Sequence, residues 1–147
     1  MQNTIWTEAH LSDLELDYDD ALSPEFALIE FHDAMGIPVN NSPTRLDRER
    51  LKRHYGLITE EVEELFESFD KRATANEVLK EFADVLYTVY SLAVEAGFWP
   101  YVEEAFYRVH ESNMLKHPNP DGGKIQKGPD YRPPNFDDMN VHYPKQD

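Results

Sequence analysis

Apolar residues recur at the spacing of an α-helix in four successive stretches of the 147-residue chain. This pattern predicts an all-α fold, an antiparallel bundle of about four helices followed by an irregular C-terminal tail. The third stretch is apolar over most of its circumference, which indicates a mostly buried helix. The four helices are expected at residues 24–35, 45–70, 75–96 and 100–115.

Residues that start and stop helices set several of these limits. Ser23 followed by Pro24 is typical of a helix start, because serine caps the first turn and proline fits its first position. Gly36 and Gly97 are expected to end the first and third helices. Gly56 lies inside the second stretch, where it would cost roughly 1 kcal/mol relative to alanine and could break the helix.

Composition divides the chain into three segments. Residues 1–22 hold six acidic residues and no lysine or arginine, so we expect an acidic N-terminal arm there. Residues 23–116 would form the helical domain, and residues 117–147 a tail too rich in proline and glycine for a helix. We expect this tail to form a short hairpin or an extended strap. The segment of residues 116–132, which spans the start of the tail, is locally basic, with Lys116, Lys124, Lys127 and Arg132.

Charge and composition limit the possible partners. The formal net charge of −15 argues against a nucleic acid, because phosphate backbones bind clusters of lysine and arginine. It does not argue against a small phosphorylated substrate that arrives with a divalent cation. No stretch is apolar for long enough to span a bilayer, and the N-terminus lacks the features of a signal peptide. Without cysteine there is no thiolate chemistry. We therefore expect a cytoplasmic protein without a membrane partner.

Two short acidic motifs lie in the second and third predicted helices, separated by sixteen residues. Residues three apart share a helix face, so each motif offers a pair of carboxylates to a facing helix. Carboxylates gathered at one point repel one another unless a cation lies between them, and Mg²⁺ prefers such oxygen ligands. We therefore predict a Mg²⁺ site, with Mn²⁺ as a possible substitute. The ligand pairs are Glu61 with Glu64 and Glu81 with Asp84, while Glu60 could hold a second ion or orient a water.

An acidic surface in contact with water is the alternative explanation, because glutamate is a good helix former and common on exposed faces. Glu81 and Asp84 argue against it, since unpaired charges are costly in a helix that is otherwise strongly apolar. The six histidines have no metal-ligand spacing, and no P-loop pattern is present. The paired acidic motifs therefore remain the strongest functional signal in the sequence.

The order E-E-x-x-E followed by E-x-x-D resembles the signature of the all-α nucleoside triphosphate pyrophosphohydrolases, the MazG-like group. That group includes phosphoribosyl-ATP pyrophosphohydrolases and dimeric dUTPases. The resemblance covers about residues 24–131. Residues 53–64 resemble the family's approach to its first motif, and residues 112–116 and 127–131 resemble the tail of bacterial and phage MazG-like proteins.

The resemblance implies Mg²⁺-dependent hydrolysis of a nucleoside triphosphate to the monophosphate and pyrophosphate. It assigns Mg²⁺ to the four paired carboxylates, and to Glu60 the positioning or deprotonation of the attacking water. Asn113 and Lys116 would contact phosphate or sugar. The tail could close over the nucleotide as a lid, with Tyr131 stacking on the base, although Tyr131 could equally be a packing residue. Members of the family assemble as dimers or tetramers, so a homo-oligomer is implied.

Several alternatives remain open at this stage. The substrate could instead be phosphoribosyl-ATP, or the enzyme could prefer dUTP or dCTP, because one sequence does not identify the residues that contact the base. The chain could also be a non-catalytic helical module that binds a partner through its acidic face. Turnover of a nucleotide would separate an enzyme from such a module.

Overall fold

The computed structural model describes residues 23–145, and the predicted acidic arm of residues 1–22 lies outside the described residues. Within the described part, four α-helices carry the fold and confirm the all-α prediction. A short antiparallel hairpin follows them, with two strands of two residues each, β1 (Lys116–His117) and β2 (Gln126–Lys127). The sequence predicted either a short hairpin or an extended strap for this part of the chain. The helices are α1 (Pro24–Met35), α2 (Arg48–Asp70), α3 (Ala75–Glu95) and α4 (Trp99–Met114).

The helix limits follow the local capping chemistry. Ser23 caps α1 as predicted, its side chain accepting a hydrogen bond from the Phe26 amide at 3.4 Å. The predicted start of α2 at residue 45 is wrong by three residues. Asp47 caps this helix instead, by accepting a hydrogen bond from the Arg50 amide at 2.9 Å. The helix then continues through Gly56 without a break.

Helices α2 and α3 form an antiparallel pair joined by a short turn, and they pack along each other more extensively than any other two elements. Thr74 and Glu77 form a capping box at the start of α3. In it the Thr74 amide donates to Glu77 Oε2 at 2.7 Å, and the Glu77 amide donates to Thr74 Oγ1 at 3.3 Å. This box fixes where α3 begins, and so fixes which residues of α3 face α2.

A buried histidine fastens α1 to α3. His32 is completely buried, and its Nδ1 donates to the Pro38 carbonyl at 3.0 Å. The other ring nitrogen, Nε2, lies 2.7 Å from the Ser91 hydroxyl, within hydrogen-bond distance. The loop after α1 then packs on the end of α3, where Gly97 adopts a φ of +75° and lies against the Ser42 carbonyl.

A single chain buries few of its apolar side chains. Among the described residues, Leu28 and Val94 are the buried hydrophobic residues. Many large apolar side chains of α2, α3 and α4 are exposed instead, in contrast to the mostly buried third helix that the sequence predicts. No helix in the described range is long and apolar enough to cross a membrane. The exposed set on the α2–α3 pair includes Phe66, Phe69, Leu79, Phe82, Leu86 and Val89.

Replacing two glycines by alanine should change stability in opposite directions. A Cβ at Gly97 would lie 1.9 Å from the Ser42 carbonyl oxygen, and φ is positive there. We expect Gly97→Ala to lower the free energy of unfolding by more than about 1 kcal/mol. Gly56 has open space around it inside α2, so Gly56→Ala should raise that free energy by about 1 kcal/mol. Urea unfolding of both variants tests this, and equal effects would contradict it.

Candidate metal centre

Three carboxylates from α2 and α3 converge at one point between the two helices. Glu61 of α2 faces Glu81 and Asp84 of α3, and one oxygen from each lies within 4.8 Å of the others. All three side chains are half-buried. Three negative charges at this separation repel one another strongly where water is partly excluded. The centre is therefore electrostatically strained unless positive charge is present.

Lys80 supplies part of that positive charge. Its Nζ lies 2.6 Å from Asp84 Oδ2 and 3.2 Å from Glu81 Oε1. Hydrogen bonds to Asp84 and Glu81 raise the pKa of Lys80 above its ordinary value. The lysine side chain is 63% exposed, however, so its pairing is screened by water and it is free to move away. One mobile ammonium does not balance three carboxylates.

Glu61 is the least satisfied member of the group. Its Oε2 is shielded from solvent and has no hydrogen-bond partner among the described residues. The pKa of Glu61 is raised, first because burial disfavours the charged form and then because Asp84 and Glu64 add negative charge. Lys80 opposes this effect. A divalent cation would partner the free oxygen and offset the repulsion, and an all-carboxylate donor set suits Mg²⁺ or Mn²⁺.

The other residues of the first motif lie at the edge of this group. Glu64 is exposed and falls outside the set of oxygens within 4.8 Å of one another. It lines, together with Glu81, an adjoining cleft of about 250 Å³. Glu60 is exposed at the neighbouring position of α2, and its charge also raises the pKa of Glu61. Both residues are near enough to act on the centre electrostatically.

The predicted substrate residues Asn113, Lys116 and Tyr131 lie at the end of α4 and in the tail, apart from the three converging carboxylates. The Tyr131 ring lies 5.9 Å from Lys116 Nζ and 4.7 Å from Lys127 Nζ, distances at which a cation attracts an aromatic face. The tail is fastened to α4, where the Ser112 hydroxyl donates to the Arg132 carbonyl at 2.6 Å. Asn113 is exposed in the last turn of α4. These residues gather beside α4 within the single chain.

A second polar cluster lies between α2 and α3, and sequence reasoning did not identify it. Glu95 is 3% exposed at its side chain, with Oε2 2.6 Å from His54 Nε2 and Oε1 2.5 Å from Arg50 Nη1. A pattern in the sequence could have revealed it, because polar residues of α3 recur at intervals of three and four. That stripe consists of Glu81, Asp84, Thr88, Ser91 and Glu95.

Comparison with known proteins identifies one family. A model of the family described as phosphoribosyl-ATP pyrophosphohydrolase matches residues 28–113, more than half of the chain. The matched range includes all three converging carboxylates and ends before the hairpin. This family is part of the MazG-like all-α pyrophosphohydrolase superfamily, so the broader resemblance is confirmed and a closer placement among MazG-like proteins stays a prediction. No curated protein matches the chain.

Glu61→Gln should change how stability depends on pH in the metal-free protein. The raised pKa means that the folded chain holds this proton more tightly than the unfolded chain. The resulting stabilisation is fully present below the ordinary pKa of 4.5 and is lost as pH rises through the folded pKa. Glutamine does not ionise, so the variant should not lose this stabilisation as pH rises.

We expect the Tm of Glu61→Gln, relative to the parent, to increase between about pH 4 and about pH 7 in chelator. Thermal unfolding followed by circular dichroism measures this difference. Glu63→Gln, an exposed change in the same motif, is the control and should follow the parent at every pH. A Tm difference for Glu61→Gln that stays constant with pH would contradict the argument.

Proposed function

We propose that this chain, which belongs to the phosphoribosyl-ATP pyrophosphohydrolase family, hydrolyses a nucleoside triphosphate to the monophosphate and pyrophosphate. Family membership makes the chain a pyrophosphohydrolase that acts on a nucleotide-like substrate. One observation carries the finer proposal. Three carboxylates meet within 4.8 Å, and one of their oxygens is shielded and without a hydrogen-bond partner.

In the proposed enzyme the carboxylates of α2 and α3 hold Mg²⁺, or Mn²⁺ in its place. Glu61, Glu81 and Asp84 would hold the cation, and Glu64, which lines a cleft together with Glu81, would be the fourth ligand. When bound, the cation neutralises triphosphate charge and polarises the phosphorus that is attacked. Lys80 would have to give up its pairing with Asp84 and Glu81 for these carboxylates to hold the cation, which its exposure permits.

The remaining proposed roles belong to Glu60, which lies beside this centre, and to the separate cluster at the end of α4. Glu60 accepts a hydrogen bond from the attacking water and takes its proton, since it is next to Glu61 and open to solvent. Lys116, with Asn113, contacts the phosphates or sugar, and an ammonium there stabilises negative charge that builds up during attack. Tyr131 stacks on the base if the tail closes as a lid.

The net charge of the chain makes the cation essential to this proposal. At −15 the protein repels a free triphosphate, and the acidic centre repels it most strongly. Nucleotide affinity should therefore depend steeply on Mg²⁺. The candidate substrates are the nucleoside triphosphates, including dUTP and dCTP, and phosphoribosyl-ATP.

Asp84→Asn should lower turnover by about 100-fold or more. Loss of a residue that only hydrogen-bonds to a metal ligand already costs about 10- to 100-fold in activity, and Asp84 is proposed as a ligand itself. Pyrophosphate release is measured over a panel of ribo- and deoxynucleotides and phosphoribosyl-ATP, with Mg²⁺, with Mn²⁺ and with chelator. Glu63→Gln is the control, an exposed acidic residue of the same region that should retain full activity. A parent protein inactive on every nucleotide with either metal would overturn the proposed substrate and support a non-catalytic acidic module.

We further propose that the enzyme is a homo-oligomer, a dimer or tetramer. The six apolar side chains of the α2–α3 pair named above are between 45% and 67% exposed in a single chain. Contiguous apolar surface of this kind is unusual in monomers and marks interaction sites. A cavity of about 600 Å³, lined by Phe69, Leu79 and Phe82 among others, lies within this surface and could receive side chains of a second copy.

Leu79→Glu should shift the protein to a smaller assembly, because it places a charge on the apolar surface where a second copy would pack. Asn76→Asp is the matched control, since it adds the same charge at an exposed polar position of the same helix. Sedimentation equilibrium gives the mass of each. A parent that sediments as a monomer would contradict the proposed assembly, and a parent oligomer unaffected by Leu79→Glu would place its interface elsewhere.

A further inference from the structure

A cavity of about 260 Å³ lies between α1, α2 and α3, beyond the carboxylate centre along α3. Phe31 of α1, His54 of α2 and several residues of α3 line it. Thr88, one helical turn beyond Asp84, stands at its near end, and Glu95 at its far end. The polar stripe of α3 thus runs from the carboxylate centre directly along this cavity.

The position and size of the cavity suit one base of a nucleotide. Asp84 and Glu95 are eleven residues apart on α3, about 16 Å along the axis at 1.5 Å per residue, and they share a face. A nucleoside whose phosphates lie at the carboxylate centre would extend in this direction. The volume is slightly below the about 300–1,000 Å³ of sites for drug-sized ligands, which favours a base over a whole nucleotide.

An aromatic pair forms one wall of the cavity. The rings of Phe31 and Tyr87 meet edge to face, with centroids 5.5 Å apart and an interplanar angle of 75°. Tyr87 is 41% exposed, although it belongs to the cavity lining. A partly open aromatic ring braced by a second ring is a suitable surface on which a nucleobase can stack.

The far end of the cavity presents a fixed hydrogen-bond acceptor. Glu95 is held by His54 on one oxygen and by Arg50 on the other. Arg50 Nη1 forms an ion pair with Oε1 at 2.5 Å, although no hydrogen bond of good geometry reaches that oxygen from the described residues. Each carboxylate oxygen can accept more than one hydrogen bond. An amino group on a base would satisfy this acceptor, whereas a carbonyl oxygen in the same place would be repelled.

We propose that this cavity, in place of the Tyr131 ring, binds the nucleobase of the substrate, and that Glu95 selects bases that carry an exocyclic amino group. The inference rests on the proposed nucleotide chemistry, because it uses phosphates at the carboxylate centre to fix the direction of the base. His54 and Arg50 are positioning residues, since they hold Glu95 in place. The competing explanation is that the Glu95 cluster only fastens α2 to α3.

The first test separates base binding from phosphate binding. Tyr87→Ala should raise the KM for CTP by about tenfold through lost stacking. Inhibition by inorganic tripolyphosphate, which has no base, should be unchanged. Tyr107→Ala, at another partly exposed tyrosine outside the cavity, is the control and should leave both constants unchanged. An unchanged KM in Tyr87→Ala, or an equal loss for CTP and tripolyphosphate, would overturn the assignment of the cavity.

The second test concerns Glu95. CTP and UTP differ at the base by an amino group in place of a carbonyl, so the parent should favour CTP in kcat/KM by about tenfold or more. Glu95→Gln, which can offer an amide donor to a carbonyl, should reduce that ratio towards one. If this variant does not fold, the preference of the parent still decides, because equal use of CTP and UTP would overturn selection by Glu95.

A binding measurement keeps the two proposals distinguishable. Calorimetry with the α,β-methylene analogues of CTP and UTP, in Mg²⁺, reports base selection without turnover. Turnover without base preference would overturn this inference and leave the proposed function standing. Preferential binding of the CTP analogue without turnover of any nucleotide would overturn the proposed function and leave base selection standing. Binding of neither analogue would overturn the inference.

Discussion

The antiparallel packing of α2 against α3 is the constraint on which the rest of the molecule depends. It brings Glu61, Glu81 and Asp84 together although their charges repel, and it shields one oxygen of Glu61 from water. Packing of the two helices must therefore outweigh an electrostatic cost in the metal-free chain. A cation would turn that cost into binding energy, which is why a strained acidic centre suits a metal-dependent enzyme.

The same helix pair offers different chemistry on different sides. The groove towards α1 carries the polar stripe of α3, from the carboxylate centre to the Glu95 cluster, and it encloses a small cavity with largely apolar and aromatic walls. The outer side is apolar and exposed. In the proposed enzyme, this division would let two helices supply both a substrate groove and a surface for a second copy. A second copy packed there would also bury apolar side chains that the single chain leaves exposed.

Much of the fold followed from local sequence, because caps and stop signals act over a few residues. Ser23 and Gly97 predicted helix ends closely, whereas Asp47 was overlooked as a cap and α2 was expected to begin too early. The approach of Glu61 to the carboxylates of α3 was also predictable, because residues three apart share a helix face and each motif therefore offers a pair of carboxylates to the facing helix. The pairing of His54 with Glu95 was not, because it depends on the alignment of two helices across 41 residues of chain.

The anomalous scattering of Mn²⁺ in a crystal of the protein tests the central claim most directly. The account predicts a peak bounded by carboxylate oxygens of Glu61, Glu81 and Asp84, with Lys80 displaced from Asp84. A structure at saturating Mn²⁺ with those three side chains turned apart and no peak between them would contradict it.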